Sequence, residues 1–579
     1  MLKLFKNLSK KQILFIIISI IFVVIQVKLE LKLPDYMANI TSLVQTNGNS
    51  QDILNQGFKM LGCAFLSLAT SIIVGYLATY IASSFGQNIR GKVYRKVLSL
   101  SREDIKDFSV ASLITRTTND VGQVQMLISF GLQALIKAPI MATLAIIKIA
   151  GKNLDFSMLT FLAVLLLLIL IIVIIILVMP KFKIIQKLTD NLNRITRENL
   201  TGIRVIRAFN AEEYQKDKFN DANTKLTNTQ LFTGRVMGIM SPFMTLMTST
   251  LTLSIYVLGA SLINGANMLD KVNIFSDMVV FSSYAIQVIL SFIMLVVIFL
   301  IYPRASVSAK RVMEVLDRQN KIIDGKITKS NESGLIEFKN VSFKYPDALE
   351  CIVKDITFTA KSGETVAFIG GTGSGKSTIV NLIPRFYDVS EGEILVDGIN
   401  VKDYKLETLH EKLGYVPQKA VIFSGTVKEN VSYGKKKIKN EDVDAAIEVS
   451  QAKEFISRMD KGINSLVSRG GTNISGGQKQ RLSIARAISR KPEIYIFDDT
   501  FSALDYKTDY ELRKMLKKYT KNATTLIVAS RIGTIMNADK IIVLDKGEIV
   551  GMGTHQELLK NCKVYKEIAI SQLSEEEVK

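Results

Sequence analysis

Residues able to hold a phosphate group lie together near the middle of the chain. The run that fits the pattern G-x-x-x-x-G-K-[ST] is Gly370-Gly371-Thr372-Gly373-Ser374-Gly375-Lys376-Ser377-Thr378. Its glycines let the backbone curl until amide hydrogens point at phosphate oxygens. Lys376 would neutralise the β- and γ-phosphates, and the Ser377 hydroxyl would bind Mg²⁺. The pattern therefore predicts a site for a nucleoside triphosphate and Mg²⁺.

A second group of residues carries the chemistry that such a site needs. The apolar run Ile494–Phe497 ends in two carboxylates, Asp498 and Asp499. A buried strand with this ending would place Asp498 to hold Mg²⁺ through water, which is the Walker B role. The apolar run Thr365–Ile369 before the glycines also predicts a strand, and the segment from Thr378 onward predicts a helix.

Composition indicates a membrane protein with more than one domain. The 579 residues are 48% hydrophobic and carry a net charge of +20, and the mean hydropathy is +0.24. A basic excess can indicate nucleic-acid binding, but in membrane proteins it reflects Lys and Arg held in cytoplasmic loops. The three cysteines are far apart, which favours reduced packing residues over a disulfide framework.

Six apolar stretches in the first half are long enough to cross a bilayer. The clearest one, Met158–Met179, has Thr160 as its polar residue. The first stretch follows a basic, amphipathic N-terminal segment and is predicted to be a retained span, because no small-residue cleavage site follows it. The six predicted spans are Ile13–Leu33, Gly57–Ser83, Met126–Ala150, Met158–Met179, Val236–Ile263 and Met278–Tyr302.

The distribution of Lys and Arg predicts the orientation of these spans. The segments Asn88–Asp120 and Lys181–Arg235 are rich in basic residues, whereas Asp35–Gln51 has none. The positive-inside rule then places the N-terminus, both basic segments and the C-terminal half in the cytoplasm. We therefore expect a multi-pass protein of the plasma or inner membrane that does not bind nucleic acid.

Both basic segments are patterned as helices that continue well beyond the bilayer. Turns are predicted within Asp107–Ser112 and Ala208–Glu212, where the segments would contact a cytosolic domain. Two lysines lie inside the predicted third span. Lys148 is expected to snorkel toward the membrane surface, while Lys137 either lines a cavity or snorkels.

The chain is predicted to consist of two domains joined by a linker. Residues 1–320 would form an all-α transmembrane domain with six helices and two long cytoplasmic helical loops. A polar connector covers 321–334. In 335–579 apolar strands alternate with helical patterns, which predicts an α/β nucleotide-binding domain of the P-loop type.

The segment around Ser475 resembles a known family. It reads Asn473-Ile474-Ser475-Gly476-Gly477-Gln478-Lys479-Gln480-Arg481 and is similar to the signature of ATP-binding cassette (ABC) proteins. Further matches follow in the order of that family: Tyr345 (aromatic loop), Gln418 (Q-loop), Asp498 (Walker B), Ser502–Asp505 (D-loop) and Ser530 (the switch position). Segments in the first half resemble the exporter branch, so the resemblance covers essentially the whole chain.

The resemblance implies an ABC exporter half-transporter that works as a dimer. Each ATP would lie between the phosphate loop of one chain and the signature of the other, so Ser475, Gly476, Gly477 and Gln478 would act on the partner's ATP. Tyr345 would stack on adenine. Gln418 would join Ser377 and Asp498 in binding Mg²⁺.

Two positions depart from the family pattern. Asp499 stands where the family has its general base, a Glu, and Ser530 stands where the family has a His. The shorter carboxylate lies farther from the attacking water, and the short, uncharged hydroxyl is too short to span to the γ-phosphate. A third change, Arg469 before the signature, would affect interdomain contact. Together these features resemble the degenerate-site subunit of heterodimeric multidrug exporters.

The predicted function is ATP-driven export of hydrophobic or amphipathic compounds. A second half-transporter is the expected partner, with a heterodimer favoured and a homodimer possible, alongside the lipid bilayer and a small amphipathic substrate. The alternatives are a dedicated exporter of a lipid, peptide or siderophore-like molecule, a homodimeric exporter with slow ATPase activity, and an ATP-regulated channel. Six spans in the same chain argue against a soluble translation or repair factor.

Overall fold

The computed structural model describes residues 1–150, 154–265, 267–434 and 438–572. The chain divides into two compact units. The first comprises Met1–Leu98 and Ser109–Arg318, and the second comprises Ser99–Phe108 and Gln319–Lys579. A short stretch from the first half of the sequence, Ser99–Phe108, therefore belongs to the second unit.

The described part of the first half is helical. A π-helical turn, Arg116–Asp120, joins α5 to α6. The helices are α1 (Leu2–Phe5), α2 (Lys10–Gln45), α3 (Ser50–Ser99), α4 (Arg102–Lys106), α5 (Val110–Thr115), α6 (Val121–Ala150), α7 (Leu154–Thr201), α8 (Ile203–Ala208), α9 (Glu212–Gly238), α10 (Met240–Asn264) and α11 (Met268–Leu316).

Six helices are long and apolar enough to cross a membrane within the described residues, which confirms the predicted number of spans. The helices also continue beyond the apolar stretches, as expected: α3 has 50 residues and α7 has 48. Breaks between α4 and α5 and between α8 and α9 coincide with the two predicted turns. The chain is thus a multi-pass integral membrane protein.

The apolar core of the first unit is formed where α2, α6, α7, α10 and α11 pack together. Phe156 and Phe281 contact each other there, with ring centroids 5.1 Å apart. Both lysines of the third span are paired with acids of α2: Lys137 with Glu30 at 2.8 Å and Lys148 with Asp35 at 2.5 Å. The structure replaces the expectation of a snorkelling Lys148 with an ion pair, because an acid lies within its reach.

The strands of the second unit form a four-stranded, a six-stranded and a two-stranded sheet in the described residues. The six-stranded sheet has the order β12-β11-β3-β10-β9-β6. Its strands from β11 to β6 are parallel, and β12 is antiparallel to β11. The strands are β1 (Ile336–Phe343), β2 (Val353–Ala360), β3 (Thr365–Gly370), β4 (Glu391–Val396), β5 (Ile399–Asn400), β6 (Leu413–Val416), β7 (Gly425–Thr426), β8 (Leu466–Val467), β9 (Ile494–Asp498), β10 (Thr524–Val528), β11 (Lys540–Asp545) and β12 (Glu548–Gly553).

Strands β9 and β10 are buried along their whole length, as expected for parallel strands covered on both faces. One core covers a face of the sheet with α17, α18 and α21, and the other joins it to α12 and the four-stranded sheet. The helices of this unit are α12 (Lys376–Leu382), α13 (Leu406–Lys412), α14 (Val427–Val431), α15 (Asn440–Val449), α16 (Lys453–Ser457), α17 (Gly476–Ile488), α18 (Tyr506–Tyr519), α19 (Ile532–Ile535), α20 (His555–Asn561) and α21 (Lys563–Gln572).

Two ion pairs that share Lys412 link the two larger sheets. The ammonium group of Lys412, the last residue of α13, lies 2.7 Å from Asp397 of the β4–β5 turn and 2.7 Å from Glu493 before β9. The Asp397 side chain is fully buried and also accepts a hydrogen bond from the Leu335 amide. Removal of Lys412 would leave this carboxylate without its cation.

We expect Lys412→Met to destabilise the second unit by about 3 kcal/mol, because it leaves a buried charge uncompensated. For a domain of this size, that is a fall of ~6–12 °C in Tm, measurable by calorimetry of the purified protein. The matched control is Lys405→Met, which breaks an exposed pair with Glu407 and should leave Tm unchanged. Equal Tm values for the two variants would contradict the assigned role of Lys412.

Candidate ATP site

The predicted phosphate loop connects β3 to α12. Gly375 ends the loop at φ +94°, where a side chain would be strained and would also approach the Ile352 carbonyl oxygen at 3.0 Å. At Gly371 and Gly373 an added side-chain atom would meet nothing within 4 Å. The loop is therefore tightly curled on one side and open on the other, as a phosphate cradle requires.

The Lys376 ammonium occupies the mouth of this loop. It donates hydrogen bonds to the carbonyl oxygens of Gly370 (2.8 Å) and Gly371 (2.7 Å) and to Ser374 Oγ (3.3 Å). Burial lowers the pKa of Lys376, and the nearby Asp499 and Asp498 carboxylates oppose that shift. Neutral carbonyls compensate a buried ammonium only in part, so this side chain is suited to bind an anionic phosphate instead.

Ser377 and Asp498 meet as the Mg²⁺ prediction requires. Ser377 Oγ donates to Asp498 Oδ1 at 2.6 Å. Burial raises the pKa of Asp498, and the hydrogen bond from Ser377 opposes this rise. A hydroxyl and a carboxylate are suitable ligands for Mg²⁺. The described residues contain no cluster of three or more His, Cys, Asp or Glu that could hold a metal.

Asp499 is engaged through both of its carboxylate oxygens. Ser530 Oγ donates to Oδ1 at 3.2 Å, and Gln418 Nε2 donates to Oδ2 at 3.3 Å. The backbone at Asp499 is left-handed, with φ +45°, and its amide donates to the Val528 carbonyl oxygen at 3.0 Å. The structure thus brings the two positions that depart from the family pattern into direct contact.

Tyr345 lies beside the phosphate loop, two residues beyond the end of β1. Its hydroxyl is 3.2 Å from Thr378 Oγ1. Phe343 and Tyr387 contact the ring edge-on, with centroids 4.8 and 5.2 Å away. The Lys106 ammonium lies 5.6 Å from the ring centroid. The packing of these side chains fixes the ring in the position from which it could stack on adenine.

Sequence reasoning missed two residues of this site. The Tyr415 hydroxyl donates to Asn381 Oδ1 at 2.9 Å. Burial raises the pKa of Tyr415, the Asp498 charge adds to the shift, and the Arg102 charge opposes it. Tyr415 could have been found from its place just before Gln418 on β6. Arg102 comes from the Ser99–Phe108 stretch, and no sequence motif marks it.

The signature forms the start of α17. Ser475 caps this helix: its Oγ accepts from the Gln478 amide at 3.3 Å, and the Gln478 side chain accepts from the Ser475 amide at 2.9 Å. An added side-chain atom at Gly476 would meet nothing within 4 Å. In the part of the chain that the structure describes, none of the hydrogen bonds of Ser475–Gln478 reaches the phosphate loop.

Arg469, the third departure from the family pattern, lies in a short 3₁₀ turn, Arg469–Gly471, ahead of the signature.

Fold and site together define a membrane protein that carries an ATP-binding domain. Comparison with known families agrees: the ABC transporter transmembrane region matches residues 16–292, and the ABC transporter ATPase domain matches 353–502. The chain belongs to the ABC transporter family. It is a half-transporter whose ATPase activity is coupled to transport, and half-transporters of this family dimerise.

Several relatives are similar over nearly the whole chain. An uncharacterized ABC transporter ATP-binding protein of Mycobacterium tuberculosis is 36% identical over 548 residues, covering 94% of this chain and 93% of that protein. YfiB of Bacillus subtilis, also uncharacterized, is 34% identical over 96% of both chains. An ATP-dependent lipid A-core flippase of Syntrophus aciditrophicus is 30% identical over 87% of this chain and 83% of its own.

A solved structure shares the fold. The ATP-bound structure of a bacterial Atm1-family ABC exporter matches with a TM-score of 0.81 over 97% of this chain and 98% of its own, at 23% sequence identity. The predicted fold class, six spans followed by an α/β ATPase domain, is confirmed. The individual roles of Tyr345, Gln418, Asp498, Asp499 and Ser530 remain predictions.

We expect Lys376→Ala to weaken Mg-ATP binding by about ten- to a hundredfold, because hydrogen bonds to charged groups contribute roughly 1.5–3 kcal/mol. Equilibrium binding of a fluorescent ATP analogue to the purified chain measures this. The matched control is Lys361→Ala, at an exposed lysine before the opposite end of β3, which should bind as the wild type does. Unchanged affinity in Lys376→Ala would show that the loop does not hold the phosphates.

Proposed function

We propose that this chain is one half of a heterodimeric exporter of hydrophobic or amphipathic compounds, of the multidrug type. Its own Walker residues form a slow ATP site, and its signature completes the faster site of the partner. The N-terminus and the ATPase domain are cytoplasmic, as the distribution of Lys and Arg supports. The lipid A-core flippase among the relatives supports an amphipathic substrate.

The observation that carries this proposal is the contact between Asp499 and Ser530. A general base must approach the attacking water to about 2.6–3.2 Å. The Asp499 side chain is one methylene shorter than the Glu of the family, and Ser530 and Gln418 already engage both of its oxygens. A displacement of ~1 Å can cost on the order of a hundredfold in rate. Lys376 and Ser377 make their hydrogen bonds to groups other than Asp499, so we expect ATP binding to be retained.

The signature supports the second half of the proposal. Ser475 and Gln478 form a complete capping box at the start of α17, so the helix N-terminus is ordered and available to an anion. Gly476 leaves open space at this end of the helix. A chain with a weak general base and an intact signature would contribute to hydrolysis at its partner's site.

A dedicated lipid exporter is the second candidate function, and the flippase relative favours it. A peptide or siderophore-like substrate, a homodimer with slow ATPase activity and an ATP-regulated channel remain alternatives.

Uphill movement of a labelled amphiphile in reconstituted vesicles separates an exporter from a channel. Strong ATPase activity of a pure homodimer, abolished by Lys376→Ala, would overturn the heterodimer.

We expect Asp499→Glu combined with Ser530→His to raise ATP turnover of the purified chain by about tenfold to a hundredfold, because it restores the reach of the base. Steady-state phosphate release in lipid nanodiscs measures the change. The control pair, Asp499→Asn with Ser530→Ala, removes the carboxylate and should give no gain. If the restored pair turns over no faster than the wild type, these two positions do not limit the rate.

In a complex with a partner half-transporter, we expect Gly476→Asp in this chain to reduce turnover by at least about a hundredfold. The added carboxylate occupies open space and therefore leaves the fold intact, but it repels the phosphates of the partner's ATP. Phosphate release by the purified complex measures the loss, with Gly476→Ala as the uncharged control. Lys376→Ala in the same complex should cost far less, and equal losses would indicate two equivalent sites.

A further inference from the structure

An ion pair lies within the membrane-spanning part of the first unit. The Lys137 ammonium of α6 is 2.8 Å from Glu30 Oε1 of α2. Gln26, one turn earlier on α2, donates its Nε2 to the same oxygen at 2.9 Å. Val27 and Leu31, on either side of these residues, belong to the buried apolar core. A small polar cluster thus lies between α2 and α6, next to buried apolar side chains.

Hydrogen bonds between helices give the depth of the cluster. Gln12 donates to Ser84 and Gln125 donates to Ser83, which places α2, α3 and α6 at one level near the inner ends of their apolar stretches. Measured from that level at 1.5 Å per residue, Glu30 lies ~27 Å along α2 and Lys137 lies ~18 Å along α6. Both distances fall within the ~30 Å of a hydrocarbon core.

The pair has unused hydrogen-bonding capacity. Both hydrogen bonds to the Glu30 carboxylate go to Oε1, so Oε2 accepts none from the described residues. Lys137 uses one of the three hydrogens of its ammonium group. Pro34 has no amide hydrogen to donate to the Glu30 carbonyl oxygen, four residues earlier. The Glu30 and Lys137 side chains are 23% and 20% exposed in the single chain.

A neighbouring pair on the same two helices differs in this respect. Asp35 uses both oxygens: Oδ2 accepts from Lys148 at 2.5 Å, and Oδ1 accepts from the Tyr284 hydroxyl at 2.7 Å. Tyr284 is buried, and its hydroxyl also lies 2.9 Å from the Leu31 carbonyl oxygen. This second pair joins α2, α6 and α11, and Lys148, like Lys137, uses one hydrogen of its ammonium group. The two pairs therefore differ at the carboxylate: both oxygens of Asp35 accept hydrogen bonds, whereas Glu30 Oε2 accepts none from the described residues.

We propose that Glu30 and Lys137 form a binding site for the headgroup of a zwitterionic amphiphile. The cationic group of the ligand contacts Glu30 Oε2 and the freed carbonyl oxygen, and its phosphate or carboxylate accepts from Lys137. A ligand with a single charge would satisfy one member of the pair and repel the other, whereas a zwitterion matches both. The assignment rests on the proposed export of amphipathic compounds and specifies their class.

Ionisable residues inside a membrane are costly and mark paths for polar groups. Apolar side chains exposed on α2 and α6, such as Ile25 (39%) and Leu135 (48%), offer a surface for acyl or aromatic parts of the same molecule. Headgroup recognition by Glu30 and Lys137 would therefore select among amphiphiles, while the surrounding apolar surface would tolerate different tails.

The test measures binding without ATP, so that its result does not depend on export. The purified chain in nanodiscs is exposed to three photoactivatable lipids with identical acyl chains. Their headgroups are phosphatidylcholine (zwitterionic), phosphatidylglycerol (anionic) and trimethylammonium-propane (cationic), and labelling of α2 and α6 peptides is quantified by mass spectrometry. We expect the wild type to prefer phosphatidylcholine by about tenfold, because only that headgroup makes a favourable contact with both charges of the pair.

Single variants should shift this preference in opposite directions. Glu30→Gln leaves Lys137 as the remaining charge of the pair and should favour the phosphatidylglycerol probe. Lys137→Gln leaves Glu30 and should favour the cationic probe. The double variant Glu30→Lys with Lys137→Glu restores a neutral pair, so it should again prefer phosphatidylcholine, and it keeps the test decisive if a single variant is unstable. The control Lys148→Gln should leave the preference unchanged.

Two results would overturn the proposed site. One is equal labelling of the wild type by the three probes, and the other is a headgroup preference that the Glu30 and Lys137 variants leave unchanged. These outcomes would leave export itself intact, since transport of other amphiphiles in vesicles is measured separately. Conversely, a charge-dependent preference in a protein that moves no substrate would support the headgroup site and contradict the exporter.

Discussion

Parallel pairing of β10 with both β3 and β9 determines where the groups of the ATP site lie. The carboxyl ends of these three strands meet at one edge of the sheet. The phosphate loop follows β3, Asp498 ends β9, and Ser530 comes shortly after β10. Because these strands are buried on both faces, the packing of their apolar side chains determines the strand register. That register in turn positions the polar groups at the carboxyl edge of the sheet.

Much of this arrangement could be predicted from the sequence. The glycines and Lys376 identify a phosphate loop without structural knowledge, because few other local sequences place those residue types between a strand and a helix. The lengths of the apolar stretches predict six membrane spans. Six helices of the described residues that are long and apolar enough to cross a membrane confirm this number. The signature also marks the start of a helix, since Ser475 is the N-cap of α17 and Gly476 and Gly477 are its first two residues.

Contacts between residues far apart in the sequence could not be predicted. Tyr415 of β6 contacts Asn381 of α12, and the charge of Arg102, about 400 residues earlier in the chain, acts on Asp498. Lys148 was expected to snorkel toward the membrane surface. Its ion pair could not be predicted, since the sequence alone does not show that Asp35 Oδ2 lies 2.5 Å from Lys148 Nζ. In each case the charged group or hydroxyl can be identified from the sequence, whereas the residue that it contacts is determined by the tertiary packing.

The same physical consideration applies to both proposed sites. A buried charge is stable only if its surroundings compensate it, and the degree of compensation distinguishes a structural group from a functional one. Asp35 is saturated and Asp499 is held by two donors, so neither has a free oxygen. Glu30 and Lys376 are compensated only in part. Partial compensation inside a folded protein favours a ligand of complementary charge, phosphate at Lys376 and a zwitterionic headgroup at Glu30.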